Sequence, residues 1–165
     1  MKKNLTILLI LTGFVSLAYF SSCTKIDEET TPKSLTYAII KGEAKANLDL
    51  SNDTNSYGGF EIQWEKVPLD TKVFARINSE DLQNEPTDDL YQDILFETSV
   101  DNSGNYEVQV YAGNSNTYVT LFADNFKFDQ KINDSVWEEK IFAFQTQEVM
   151  VSKNMTKTFE LIFIP

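Results

Sequence analysis

The chain has 165 residues, with 14 Lys and Arg against 25 Asp and Glu, one Cys and no His. A net charge of −11 and a single arginine, Arg76, speak against a nucleic-acid partner, because phosphate backbones are bound through clustered Lys and Arg. Without His there is no His-based triad, no H-E-x-x-H zinc site and no histidine ligand, and the six glycines form no phosphate-cradling pattern, so no cofactor or metal is signalled.

At the N-terminus Lys2 and Lys3 precede an apolar run from Leu5 to Tyr19, and the small residues Ser21 and Ser22 follow. This is the layout of a cleaved secretion signal over residues 1–22. A membrane anchor is the alternative, but Thr6, Thr12, Gly13 and Ser16 interrupt a run already short of the roughly 20 apolar residues that span a bilayer. The lone Cys23 has no disulfide partner in the chain and no His to activate it, so its position must explain it. Phe20-Ser21-Ser22-Cys23 resembles a bacterial lipobox, departing from the commonest form at Phe20 and Ser22. That resemblance implies diacylation of Cys23, which becomes the mature N-terminus; two acyl chains hold a protein durably on a membrane where one does so marginally. Thr24-Lys25-Ile26-Asp27-Glu28-Glu29 resembles the lysine-plus-acids tag that sends lipoproteins of Bacteroidota to the outer face of the outer membrane. A plain charged tether is the other reading of the same residues. Residues 23–35 are therefore expected to be a lipidated flexible tether, and residues 36–165 one domain, in a mature chain of 143 residues with net charge −13.

From Thr36 onward short alternating runs separated by turn residues predict an all-β domain. Tyr37-Ala38-Ile39-Ile40 opens a strand that continues past Gly42 through Ala44 and Ala46. Phe60, Ile62 and Trp64 alternate with Glu61, Gln63 and Glu65, as a strand with one buried and one wet face would. Val73, Ala75 and Ile77 alternate with Phe74, Arg76 and Asn78. Ile94 to Val100 and Tyr106 to Val110 flank Asp101-Asn102-Ser103-Gly104-Asn105, which predicts a hairpin. Further runs cover Thr117 to Phe128 and, after the turn Asn133-Asp134-Ser135, Phe142 to Val151; Phe159, Leu161 and Phe163 close the domain. Seven or eight antiparallel strands at this spacing predict a single two-sheet Greek-key β-sandwich.

Three segments carry a family resemblance. Ile40-Lys41-Gly42-Glu43-Ala44, Val67-Pro68-Leu69-Asp70-Thr71-Lys72-Val73 and the D-x-x-G-x-aromatic stretch Asp101 to Tyr106 are similar to segments of carboxypeptidase regulatory-like, or transthyretin-like, β-sandwich domains. Long inserts at 47–59 and 79–89 depart from that pattern. The resemblance implies a prealbumin-type fold and a non-catalytic module used in assembly, adhesion or support of a neighbour, and it transfers no active-site residue.

Carboxylate pairs such as Glu61 with Glu65, or Glu97 with Asp101, are the only acid–base candidates, and solvated strand faces explain them more simply, so no enzyme is expected. Asp49, Asn52, Asp53 and Asn55 in one insert, and Asp88, Asp89 and Asp93 near another, offer the oxygen ligands that calcium takes, but none completes a calcium-loop pattern. Tyr57, Tyr111 and Trp137 are candidate stacking platforms for a glycan or anchors for a protein; Tyr111 is out of phase with Val108 and Val110. Asp134-Ser135-Val136 resembles the O-glycosylation acceptor of the same bacterial group, at Ser135. Two functions follow as expectations: a lipid-anchored outer-membrane module, facing outward, that docks an envelope protein, or a carbohydrate-binding accessory lipoprotein.

Overall fold

The structure, a computed structural model, describes residues 36–83 and 90–165. Cys23, the tether, Asp88 and Asp89 lie outside the described residues. Among the described residues there are eleven strands: β1 (Tyr37–Ala46), β2 (Glu65–Lys66), β3 (Lys72–Asn78), β4 (Asp93–Ser99), β5 (Asn105–Tyr111), β6 (Thr117–Ala123), β7 (Phe126–Asn133), β8 (Val136–Phe144), β9 (Gln147–Val151), β10 (Thr156–Thr158) and β11 (Leu161–Ile164). No helix among the described residues is long and apolar enough to cross a membrane.

The strands form two sheets. In the first, β1 lies antiparallel to β5 on one side and parallel to β10 and then β11 on the other, and β8 and β7 continue outward from β11. The second runs in the order β4-β3-β6-β9, all neighbours antiparallel. Alternation along β1, β3, β5, β6, β9 and β11 sends about one residue in two to a shared interior. Ile40, Val108, Val110, Phe142, Leu161 and Phe163 from the first sheet meet Val73, Ile77, Val119, Leu121, Val149 and Val151 from the second in one apolar cluster.

The strand count exceeds the expected seven or eight because the chain changes sheets inside runs that look continuous. Thr117 to Phe128 breaks at Asp124-Asn125, which carries the chain from β6 in one sheet to β7 in the other; Phe142 to Val151 breaks likewise at Gln145-Thr146. Two polar residues suffice to turn the corner, and they leave the alternation on either side intact.

The predicted hairpin around Asp101 is a corner instead. Its turn is as tight as expected: the Asp101 amide donates to the Asn105 carbonyl at 2.8 Å, the Gly104 amide to the Asp101 carbonyl at 3.0 Å, and Gly104 takes φ +83°. Yet β4 pairs with β3 and β5 pairs with β1, so the turn joins the two sheets. Turn chemistry fixes the reversal of the chain but not the neighbour each arm finds.

The predicted strand Phe60 to Glu65 is a loop except for Glu65. A carboxylate takes a donor that a neighbouring strand would otherwise satisfy: Asp53 accepts from the Gln63 amide at 2.8 Å. At the far end Glu65 accepts from the Leu48 amide at 2.8 Å. Phe60, read as core-facing, is 78% exposed.

Candidate functional site

Two of the three segments behind the family resemblance adjoin in the structure. Gly42 of β1 stands opposite Tyr106 of β5. On the other side of β1 the chain bulges at Phe159-Glu160, between β10 and β11, where the Phe159 amide donates to the Lys41 carbonyl at 2.9 Å. The Phe159 carbonyl oxygen then sits 1.9 Å from where a Cβ on residue 42 would be, and the Tyr106 hydroxyl donates to that same oxygen at 2.8 Å. The Tyr106 ring therefore spans the bare glycine and ties β5 to the bulge; burial raises its phenol well above the ordinary tyrosine pKa.

Asp101 holds the preceding corner. Its carboxylate accepts from the Asn105 amide at 2.8 Å and the Ser103 amide at 2.7 Å, and these amides, Asn105 first, keep its pKa below the usual carboxylate value. A group depressed in the folded state contributes its full stability above its unfolded pKa and loses it as pH falls through the folded pKa. The unfolding midpoint of the wild type should accordingly drop on acidification. Asp101→Asn keeps an oxygen for both amides and should show a shallower dependence across the same acid range, measured by urea unfolding at a series of pH values.

Beside this corner lies an open cleft of about 660 Å³, whose lining includes Lys41, Glu43, Asp101, Glu107, Thr158 and Glu160. Its charges are largely engaged. Lys45 bridges Glu43 at 2.6 Å and Glu160 at 3.1 Å, which raises the Lys45 pKa, and Asp101 is held by the turn. Of the other carboxylates considered for acid–base work, Glu97 pairs with Lys72 at 2.8 Å and Glu65 also accepts from the Asn52 side chain at 2.8 Å, while Glu61 is exposed.

The insert considered for calcium is likewise occupied by its own donors. Asp49 accepts from the Ser51 hydroxyl and amide and from Lys131 at 3.4 Å, and Asp53, buried, accepts from the Asn47 side chain at 2.7 Å. These oxygens fasten the insert to β7, where the Lys131 amide donates to the Leu48 carbonyl at 2.9 Å. Asn55 serves the loop tip rather than any cluster with Asp49, and Asp93 instead faces Arg76 at 3.7 Å. Among the described residues no group of three or more acidic or thiol side chains converges on a metal position.

The three aromatic candidates do not converge either. Tyr57 is 96% exposed at the tip of the loop between Asp53 and Glu65, and Trp137 is 57% exposed on β8 beside the β7–β8 turn. Tyr111 is not the free ring that strand phase suggested: half-buried, it lies 5.2 Å from both the Tyr37 and the Phe96 rings. Ser135 is exposed in the β7–β8 turn, its amide donating to the Asn133 side chain at 3.0 Å.

Sequence reading passed over the company Tyr57 keeps. Leu50, Tyr57, Phe60, Ile62 and Trp64 are all exposed within fifteen residues of chain. The signal was present in Asn55-Ser56-Tyr57-Gly58-Gly59-Phe60, whose turn residues frame two rings, but the alternation that follows it pointed to a strand.

No family model and no curated protein matches the chain. Among solved structures it is similar to a protein of Pseudomonas aeruginosa described as a candidate carbohydrate-binding protein, at 13% identity and a TM-score of 0.38, over 78% of this chain and 89% of that one. It is also similar to the major plantain pollen allergen, at 9% identity and a TM-score of 0.33, over 77% and 94% of the two chains. Likenesses this distant carry no ligand or partner over to the present chain.

Proposed function

We propose that the protein is a surface-displayed, outer-membrane lipoprotein of a Bacteroidota-type cell, anchored through acylated Cys23, whose β-sandwich is a non-catalytic module for docking another envelope protein. The observation that carries the docking role is the contrast between two sets of side chains. Glu65, Glu97 and Asp101 are spent on amides and a lysine, whereas large apolar rings stand in solvent on a well-packed domain. A Greek-key, transthyretin-like connectivity belongs to the same reading. Its support is that β3, β4 and β5 follow one another around the sandwich and β6 returns beside β3, with β7–β8 as an added hairpin.

A carbohydrate-binding role is the second reading, favoured by the exposed Trp137 ring on β8, an apolar platform of the kind that stacks on sugar rings.

Anchoring is tested separately from docking. Cys23→Ala should incorporate no labelled fatty acid and should move from the membrane to the soluble fraction, since the described domain has no membrane-crossing helix to retain it. A variant that stays on the membrane contradicts the lipoprotein reading.

A further inference from the structure

We infer that residues 55–60 form a preorganised docking loop that inserts Tyr57 and Phe60 into an apolar pocket with a basic rim on a partner protein; the inference rests on the docking role proposed above and names the surface and the partner chemistry.

Rigidity is the first ground. The Asn55 side-chain oxygen accepts from the Tyr57 amide at 3.0 Å and the Gly59 amide at 2.9 Å, while the Asn55 amide donates to the Gly59 carbonyl at 2.8 Å and the Gly58 amide to the Asn55 carbonyl at 3.0 Å. Gly58 takes φ +77°, which the turn requires and which most residues resist. A bridge between Thr54 and Phe60 closes the tip, and the base is clamped by Asp53 and Glu65 through the Gln63, Leu48 and Asn52 donors. A loop fixed in this way loses little entropy when it binds.

Display is the second ground. This rigid tip holds its two rings outward, 96% and 78% exposed, with Ile62 and Trp64 exposed just behind them. Folding gains nothing from such exposure, and an ordered loop of Asn, Ser, Gly and Tyr has the makeup of a paratope, in which rigid aromatics supply contact area and small polar residues adapt around them. Charge supplies the third ground. Asp49 is paired with Lys131, whereas Asp53 and Glu65 are held by amide donors, which leave their charge in place, and Glu61 is exposed beside the tip, so the surface around the loop is acidic and the complementary rim is basic.

The test uses the full-length protein in its own cells with p-benzoylphenylalanine at position 57, and, in a second strain, at position 137. Irradiation of the first strain should join the loop to one envelope protein, with the linked peptide in an apolar depression flanked by Lys or Arg. Against that purified protein, Tyr57→Ala should weaken binding by at least about tenfold. Asn55→Ala, which removes no ring, should also weaken it by loosening the loop, and binding should fall as salt rises. A saccharide or lipid as the only adduct at position 57, no adduct there, or an unchanged affinity for Tyr57→Ala would overturn the inference. If position 137 captures a protein and position 57 does not, the docking module stands and this loop assignment falls. If neither position nor general lysine cross-linking captures a protein, both fall.

Discussion

Gly42→Ala is expected to destabilise the domain by about 3 kcal/mol or more, beyond the usual cost of an overpacked core. The added methyl would lie 1.9 Å from the Phe159 carbonyl oxygen, and backbone cannot swing aside as the end of a side chain can. Relief requires β1 to part from the bulge, at the expense of the Phe159 amide bond to Lys41 and the Tyr106 hydroxyl bond to Phe159. Gly58→Ala is the control. Its Cβ meets nothing within 4 Å, so only the positive φ opposes it, at about 1 kcal/mol. Urea unfolding of the two variants beside the wild type measures both losses, and equal losses would contradict the close approach of the Phe159 carbonyl to Gly42.

Phe142→Ala should cost about 3–5 kcal/mol, the range for emptying a fully buried aromatic site. Phe142 is completely buried, stacked at 5.3 Å on Phe126, which in turn packs 5.4 Å from Phe163, so the cavity would open where the β7–β8 hairpin is joined to the core. Phe74→Ala is expected to cost far less. That ring, partly buried on the outer face of the second sheet, stacks on Phe122 at 5.1 Å, and an aromatic pair of this kind is worth about 1 kcal/mol beyond its area. Similar unfolding midpoints for the two variants would contradict the assignment of inner and outer faces.

Several of these features could be read from the residues. The strands over Tyr37–Ala46, Lys72–Asn78 and Asn105–Tyr111 were legible because alternation with one buried face is a period-two pattern that few other structures produce. The turn at Asp101 was legible for the same local reason, through Asp, Asn and Gly. Partnership was not legible: nothing in Asp101-Asn102-Ser103-Gly104-Asn105 tells whether the arms pair with each other or enter separate sheets. Phe60-Glu61-Ile62-Gln63-Trp64 shows the opposite failure. There the alternation is perfect, but Asp53, outside the stretch, captures the Gln63 amide, and the segment runs as a loop up to Glu65.

The site followed the same division. Tyr57 and Trp137 are exposed, whereas the half-burial of Tyr111 depends on Tyr37 and Phe96, both contributed by other strands and out of reach of strand phase alone. The glycine and aromatic of the family-like segments looked like separate signatures. Register puts them opposite each other, and the pair then has a mechanical explanation in the carbonyl of Phe159.

The docking claim is tested most directly by cross-linking intact cells that carry a tagged, full-length protein and identifying what is recovered with it. The account predicts one reproducible envelope protein, recovered in proportion to the cross-linker and lost when cross-linking follows solubilisation and dilution. Recovery of the monomer alone, in cells where the tag is reachable from outside, would contradict it.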